Sequence, residues 1–221
     1  DAVSVTNCTN AAVISSTSSN VGGIAGRSAV DNCKNKAPVS GTSHIGGITG
    51  NGNVNDSENI AAVTGTREYV GGISAEGNVA RSKNYGDVAT ANTRDRVGGI
   101  TAYGDVTDSE NTGNVSGKNN LGGITGQGGA VNCTNTGNVT SHGNQCKTGG
   151  ISGYSKKDIS NCTNSGNVSG QNNMGGIVGY IEGGKVLFCQ NSGSVTGWVD
   201  TGGIAGYSSV NIEQCTNRGK V

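Results

Sequence analysis

Apolar and polar residues alternate along this chain in short runs of period two, and the same runs return about every 26 residues. One column of the repeat is β-branched: Val5, Val30, Val54, Val79, Val106, Ile159, Val186 and Ile212, with Ala130 as its one exception. Three residues on stands Cys or Ser: Cys8, Cys33, Ser57, Ser82, Ser109, Cys133, Cys162, Cys189 and Cys215. Two residues later every copy has Asn: Asn10, Asn35, Asn59, Asn84, Asn111, Asn135, Asn164, Asn191 and Asn217. Ala or Gly follows at the next step of two, and a Val or Ile column after that, from Ile14 and Val39 to Val195 and Val221. A step of two that separates small or apolar residues from variable polar ones is the strand period. No window sustains a 3.6 period, so helix is not expected.

The remaining segment of each copy reads apolar-Gly-Gly-Ile-x-Gly/Ala, as in Val21 to Gly26 and Met174 to Gly179, and the Ile is kept from Ile24 to Ile204. Its Gly-Gly pairs begin at residues 22, 46, 71, 98, 122, 149, 175 and 202. Self-similarity at this period means one unit stacked on copies of itself. The pattern predicts an all-β, three-faced, right-handed parallel β-solenoid of about nine coils, with three short strands per coil and Gly/Asn corners. At roughly 4.8 Å between hydrogen-bonded strands the rod spans about 43 Å. Residues 1–221 form a single repeat domain.

Composition narrows the function classes. Gly is abundant at 41 residues of 221, aromatic residues make up 4%, and the hydrophobic fraction is 32%, values close to those of disordered chains. The strict columns overrule that reading, because a disordered segment has no reason to keep Asn in register. A formal net charge of zero offers no basic stripe for nucleic acid. No apolar run approaches the roughly 18 residues of a membrane-spanning helix.

The unit Gly-Gly-Ile-x-Gly followed by Asn-Cys-x-Asn-x-Gly-x-Val-x-Gly, clearest at Asn161 to Gly170, resembles the GLUG-motif repeats of bacterial surface proteins. The resemblance implies an extracellular location, secreted or on the bacterial cell surface, and a role like that of adhesin repeats. Such repeats also occur as non-catalytic parts of immunoglobulin A-cleaving metallopeptidases.

Candidate chemistry is sparse. The inward Asn column is expected to pass side-chain amide hydrogen bonds from coil to coil. Around the Ser positions, Asp56 and Glu58, Arg81 and Lys83, then Asp108 and Glu110 alternate in sign on successive coils, with Lys34 one coil earlier. That alternation fixes register. Six of the seven Cys belong to the inward column, where two readings stand: buried free thiols, or bridges in the set 8 to 33, 133 to 162 and 189 to 215. Cys146 sits apart, in the longest corner, as a partly covered thiol or a reactive one. His44 and His142 lie in different coils and cannot meet; no His-Glu-x-x-His or Cys-x-x-Cys occurs. No catalytic residue, metal ligand or cofactor is therefore assigned.

Two surface features point to recognition. Tyr103, Tyr154, Tyr180 and Tyr207 share one slot of the repeat, either as a contact surface or as an aromatic ladder over Gly-rich backbone. Trp198 stands on another corner. The function expected is a non-catalytic structural or adhesive segment: a rigid stalk, an adhesive surface or a filament subunit. Its partners are further coils or copies of itself at uncapped rod ends, Asp1 and Val221, and a host glycan or protein. A polysaccharide-processing β-helix enzyme is the alternative, though the short corners leave little to wall a cleft. Ice binding is a third class, suggested by the hydroxyl column Thr49, Ser74, Thr101, Thr125 and Ser152.

Overall fold

A residue in the left-handed region just before each Cys or Ser decides how the repeat folds. Asn7, Asn32, Asp56, Arg81, Asp108, Asn132, Asn161, Phe188 and Gln214 all have φ between 48° and 56°. Asn and Asp tolerate this conformation better than other side-chain-bearing residues. The bend separates the β-branched column from the Cys/Ser-x-Asn segment, so these are two strands and not one. The structure, a computed structural model, describes residues 4–91 and 95–221; Asp1 lies outside the described residues.

The protein is a parallel β-solenoid with turns of about 26 residues and no helix among the described residues. The expected three strands per coil are corrected to five. One coil runs Val106–Thr107, Glu110–Asn111, Val115–Gly117, Asn120–Gly122 and Thr125–Gln127. Each strand pairs in parallel register with its equivalents above and below, giving five stacks, two of nine strands and three of eight. The Gly-Gly-Ile segment accounts for the other extra strand. Its first Gly ends the fourth strand, the chain bends through Gly-Ile, and the fifth strand begins after it.

The Asn column explains that bend. From Asn10 to Asn217 each side-chain Nδ2 donates to the Oδ1 of the next Asn at 2.7–2.8 Å. The same amide group also donates to the carbonyl two residues on in its own coil, as Asn135 does to Gly137 at 2.8 Å. Asn35 through Asn191 are buried in this ladder. Each bond contributes about 0.5–1.5 kcal/mol net, and an uninterrupted chain of amides is mutually polarising. The second Gly of each pair packs against it: a Cβ on Gly72 would lie 2.5 Å from Asn84 Cγ. The second Gly is thus required by the ladder and by the backbone of the next coil, and the first by the bend itself, since a Cβ on Gly71 would lie 1.8 Å from the Ser74 carbonyl oxygen.

Ser and Cys interchange because their slot needs one donor and one acceptor. Ser57 Oγ donates to the Asn55 carbonyl at 2.7 Å and accepts the Cys33 N–H at 3.1 Å. Cys33 Sγ does the same, donating to the Asp31 carbonyl and accepting the Cys8 N–H, both at 3.2 Å. All seven Cys are free thiols; Cys33, Cys133, Cys162 and Cys189 are buried, whereas Cys8 and Cys215, in the first and last coils, make the same local hydrogen bond but are exposed and half-buried. Flanking Cys133 and Cys189 thiols, with burial, push the Cys162 thiol up. Cys146 is corrected more sharply. It is fully buried beside Val168, Met174 and Val195, and its Sγ donates to the Asn172 carbonyl at 3.3 Å. The longer corner turns its side chain inward, so it is not a surface thiol.

The hydroxyl column also faces inward. Thr49, Ser74, Thr101, Thr125 and Ser152 are fully buried and donate to the corner carbonyls of Ser28, Gly52, Gly77, Gly104 and Gly128 of the preceding coil. A buried array presents nothing to ice. Those corners are tight: Gly52, Gly77, Gly104 and Gly128 have φ from 150° to 157°, and only two residues separate Thr101–Tyr103 from Val106–Thr107. From Ser152–Ser155 onward the corner lengthens, with residues 156–158 before Ile159–Ser160. The hydroxyl column stops one coil later, at Val178 and Ala205.

Candidate ligand-binding flank

Two outward columns border the Gly-Gly corner. One lies in the fifth stack, where Asn51, Glu76, Tyr103, Gln127, Tyr154, Tyr180 and Tyr207 stand in register. The other precedes the inward apolar residue of the fourth stack and carries His44, Tyr69, Arg96, Asn120 and Lys147. The four tyrosines named from the sequence do share one slot, and the strip they form is knitted to this second column, which sequence reasoning missed. Its signal was its fixed place one residue before the apolar-Gly-Gly motif.

In the later coils the strip is an aromatic stack. Tyr180 and Tyr207 lie ring on ring with centroids 4.4 Å apart, and Tyr154 tilts against Tyr180 at 5.9 Å. Lys147 Nζ sits 4.4 Å from the Tyr154 ring and 4.1 Å from that of Tyr180, a cation–π sandwich. Burial there holds the Lys147 ammonium below its usual range. Glu182 accepts a hydrogen bond from the Tyr154 hydroxyl and pairs with Lys156 at 2.9 Å. Lys156 holds the Glu182 carboxyl below the usual carboxylate range. Burial, reinforced by Glu182, pushes the Tyr154 phenol up.

In the earlier coils the strip is mixed. His44 stacks on Tyr69 at 4.7 Å and faces Glu76 at 3.6 Å. Arg96 donates to the Tyr69 hydroxyl and to Gln127 Oε1, both at 2.6 Å, and its guanidinium lies 5.9 Å from the Tyr103 ring. Tyr103 and Tyr207 remain 43% and 41% exposed, so the ladder still offers aromatic surface to a partner.

Between the two halves lies a notch. Gln127 interrupts the tyrosine column, and on the adjoining face a second ladder breaks at the same coil. Asn53, Asn78 and Asp105 each accept the backbone N–H of the next residue in their column, ending at Gly129, which has no side chain to continue it. Lys157 reaches over Gly129 to Asp105, two coils away, at 2.6 Å. The cleft beneath holds about 240 Å³, floored by Gly104 and Gly128 and walled by Asn78, Tyr103, Asp105, Gln127, Lys156 and Lys157.

Trp198 is 79% exposed and stands just before Val199–Gly202, with its backbone N–H donated to the Gln171 carbonyl at 2.7 Å. It joins none of the described ring contacts of the tyrosine strip. The charged flank forms the predicted alternation: Arg81 with Asp56 at 2.7 Å, Lys34 with Glu58 at 2.6 Å and Lys83 with Glu110 at 3.2 Å. Asp108 instead accepts from Asn132 at 2.9 Å. Comparisons with protein-family models, curated proteins and solved structures return no match.

Proposed function

We propose that this chain is a non-catalytic structural and adhesive repeat segment of an extracellular bacterial protein, a stiff rod that carries a recognition strip along one edge. The observation that carries the reading is the unbroken Asn ladder from Asn10 to Asn217, which gives every coil the same interior. Stability in such an array sums over neighbouring coils, so the architecture suits a spacer of adjustable length. Any coil presents the parallel edge that its neighbour uses, and further coils or copies of the chain are therefore the natural partners along the axis. The five stacks are proposed to close into three faces of a right-handed coil, the sense that parallel crossovers take in about 98% of cases.

The adhesive part of the reading rests on the tyrosine strip and Trp198, and its partner class is a glycan or protein of the host. The extracellular location rests on the resemblance of Asn161 to Gly170 to GLUG-motif repeats. Exposed carboxylates support the non-catalytic reading, since Asp56, Glu58, Asp105, Glu110 and Glu182 are each engaged by a cation. The test uses beads coated with the chain on immobilised glycans and matrix proteins, beside a reducing-sugar assay on soluble polysaccharides. Bead retention that falls on replacing Tyr180 and Trp198 by Ala, with no sugar released, is expected. Release of reducing ends would overturn the reading in favour of a polysaccharide-processing enzyme.

A further inference from the structure

The notch between the two halves of the strip is a local departure from a repeat that otherwise copies itself. Two independent columns fail at one coil: the aromatic column at Gln127 and the Asx ladder at Gly129. Beside this gap the corner changes length, so Lys156 and Lys157 overhang the preceding coil. At this level the Asx ladder loses its side chain at Gly129, and the tyrosine column carries the narrower Gln127, drawn aside to Arg96. The loss does create a recess with an aromatic wall.

We propose that this recess is a subsite for one uncharged hexopyranose ring of a glycan, a deepening that rests on the adhesive reading above. The recess of about 240 Å³ offers room on the scale of one sugar ring. Tyr103 supplies the aromatic wall, and its half-exposed ring leaves a face against which one saturated ring can lie. The floor is backbone at Gly104 and Gly128. Sugar hydroxyls both donate and accept, and the walls supply both kinds of partner: Asp105 and the Gln127 carbonyl as acceptors, Asn78, Lys156 and Lys157 as donors.

Charge decides between neutral and acidic sugars. Lys157 is neutralised by Asp105 at 2.6 Å and Lys156 by Glu182 at 2.9 Å, so an anionic sugar would have to displace a carboxylate already in place. A neutral ring can bridge the existing pairs.

The experiment titrates the whole chain with methyl glycosides of glucose, galactose, mannose and N-acetylglucosamine, observed by saturation-transfer NMR and by the amide shifts of Gly104, Gly128 and Gly129. At least one glycoside is expected to bind with Kd in the range of about 0.1–10 mM, moving those three amides. Tyr103→Ala should weaken binding about 10-fold or more. Gln127→Tyr completes the aromatic column and should abolish binding without lowering the melting temperature. The inference is overturned by any of three results: no neutral glycoside bound at about 50 mM, uronic or sulfated sugars bound in their place, or affinity unchanged in both variants. Bead adhesion separates the two readings. Beads that adhere equally with Gln127→Tyr sink the notch and leave the strip, whereas glycoside binding with no bead retention sinks the adhesive role and leaves the notch.

Discussion

Coils before the notch and coils after it share one interior and differ on the outside. Before it, corners between the fifth and first stacks are tight turns through Gly52, Gly77, Gly104 and Gly128, tied down by buried hydroxyls, and the flank is mixed, with His44 stacked on Tyr69 and Arg96 bonded to Tyr69 and Gln127. After it, corners are longer, Ser155 and Ser208 close them locally by bonding the carbonyls of Lys157 and Val210, and the flank is a stack of tyrosines. The Asn ladder crosses the boundary without change, at 2.8 Å from Asn111 to Asn135 and 2.8 Å from Asn135 to Asn164. The difference teaches that the inner ladders hold the fold, which leaves the corners free to take on other work.

The largest effect that can break this comparison is expected at a tight corner. A Cβ on Gly104 would collide with the Gly77 carbonyl oxygen, and the residue has φ 151°. Gly104→Ala should therefore cost about 2–3 kcal/mol in thermal or denaturant unfolding, while Glu182→Ala in a long corner, which removes only exposed polar contacts, should shift the midpoint far less. Similar losses at both sites would erase the distinction between the corner types.

A smaller, stabilising effect should appear only after the notch. The inward column of the fourth stack is apolar through Val21, Ile45, Val70, Val97 and Leu121, then becomes Thr148, Met174 and Thr201. The hydroxyls of Thr148 and Thr201 are buried with no hydrogen-bond partner. Thr148→Val keeps the shape and removes the orphan hydroxyl, so it should stabilise by about 1 kcal/mol. A loss of stability would mean that the hydroxyl has a partner in solution.

The smallest effect is a pH dependence with opposite limbs. Asp95 is buried, accepting the N–H groups of Asn119 at 2.7 Å and Lys118 at 3.0 Å, and burial raises its carboxyl above the usual range. A raised carboxyl pKa means that the folded state binds the proton more tightly, so stability falls as pH rises from the ordinary value of about 3.9 through the raised one. Asp56 and Glu182 are lowered by Arg81 and Lys156, so their contribution is present above the ordinary carboxylate value and lost as pH falls through the lowered one. Melting temperature should pass through a maximum near the ordinary carboxylate value, about pH 4, and Asp95→Asn should flatten its alkaline limb. An unchanged limb in that variant would remove Asp95 from the account.

Period, strand character and the Asn ladder could all be read from the sequence, because each repeats at a fixed place and a step of two resolves inside from outside. The split into five strands could not, since the left-handed residues include Arg81, Phe188 and Gln214, whose identity gives no warning of the bend. Cys146 and the hydroxyl column were placed on the wrong side for a related reason: a corner of changed length shifts which residues point inward, and alternation counts only within a strand. The tyrosine slot was visible as a column. Its partners Lys147, Arg96 and Tyr69 were not, because they belong to a neighbouring stack and meet the tyrosines across the Gly-Gly corner. The notch shows only as two absences in separate columns, which becomes a site once the stacks are laid side by side.

The central claim, that the Asn ladder holds the rod, is tested most directly at Asn135, which joins the two regions. Melting of Asn135→Leu should show a loss of about 1–3 kcal/mol, because Asn111 and Asn164 are left with unpaired amide groups in a buried column. Thr134→Leu, one residue away on the outward face of the same strand, should shift the midpoint little. Equal shifts for the two variants would contradict the claim and make the ladder a consequence of the fold, with something else holding it together.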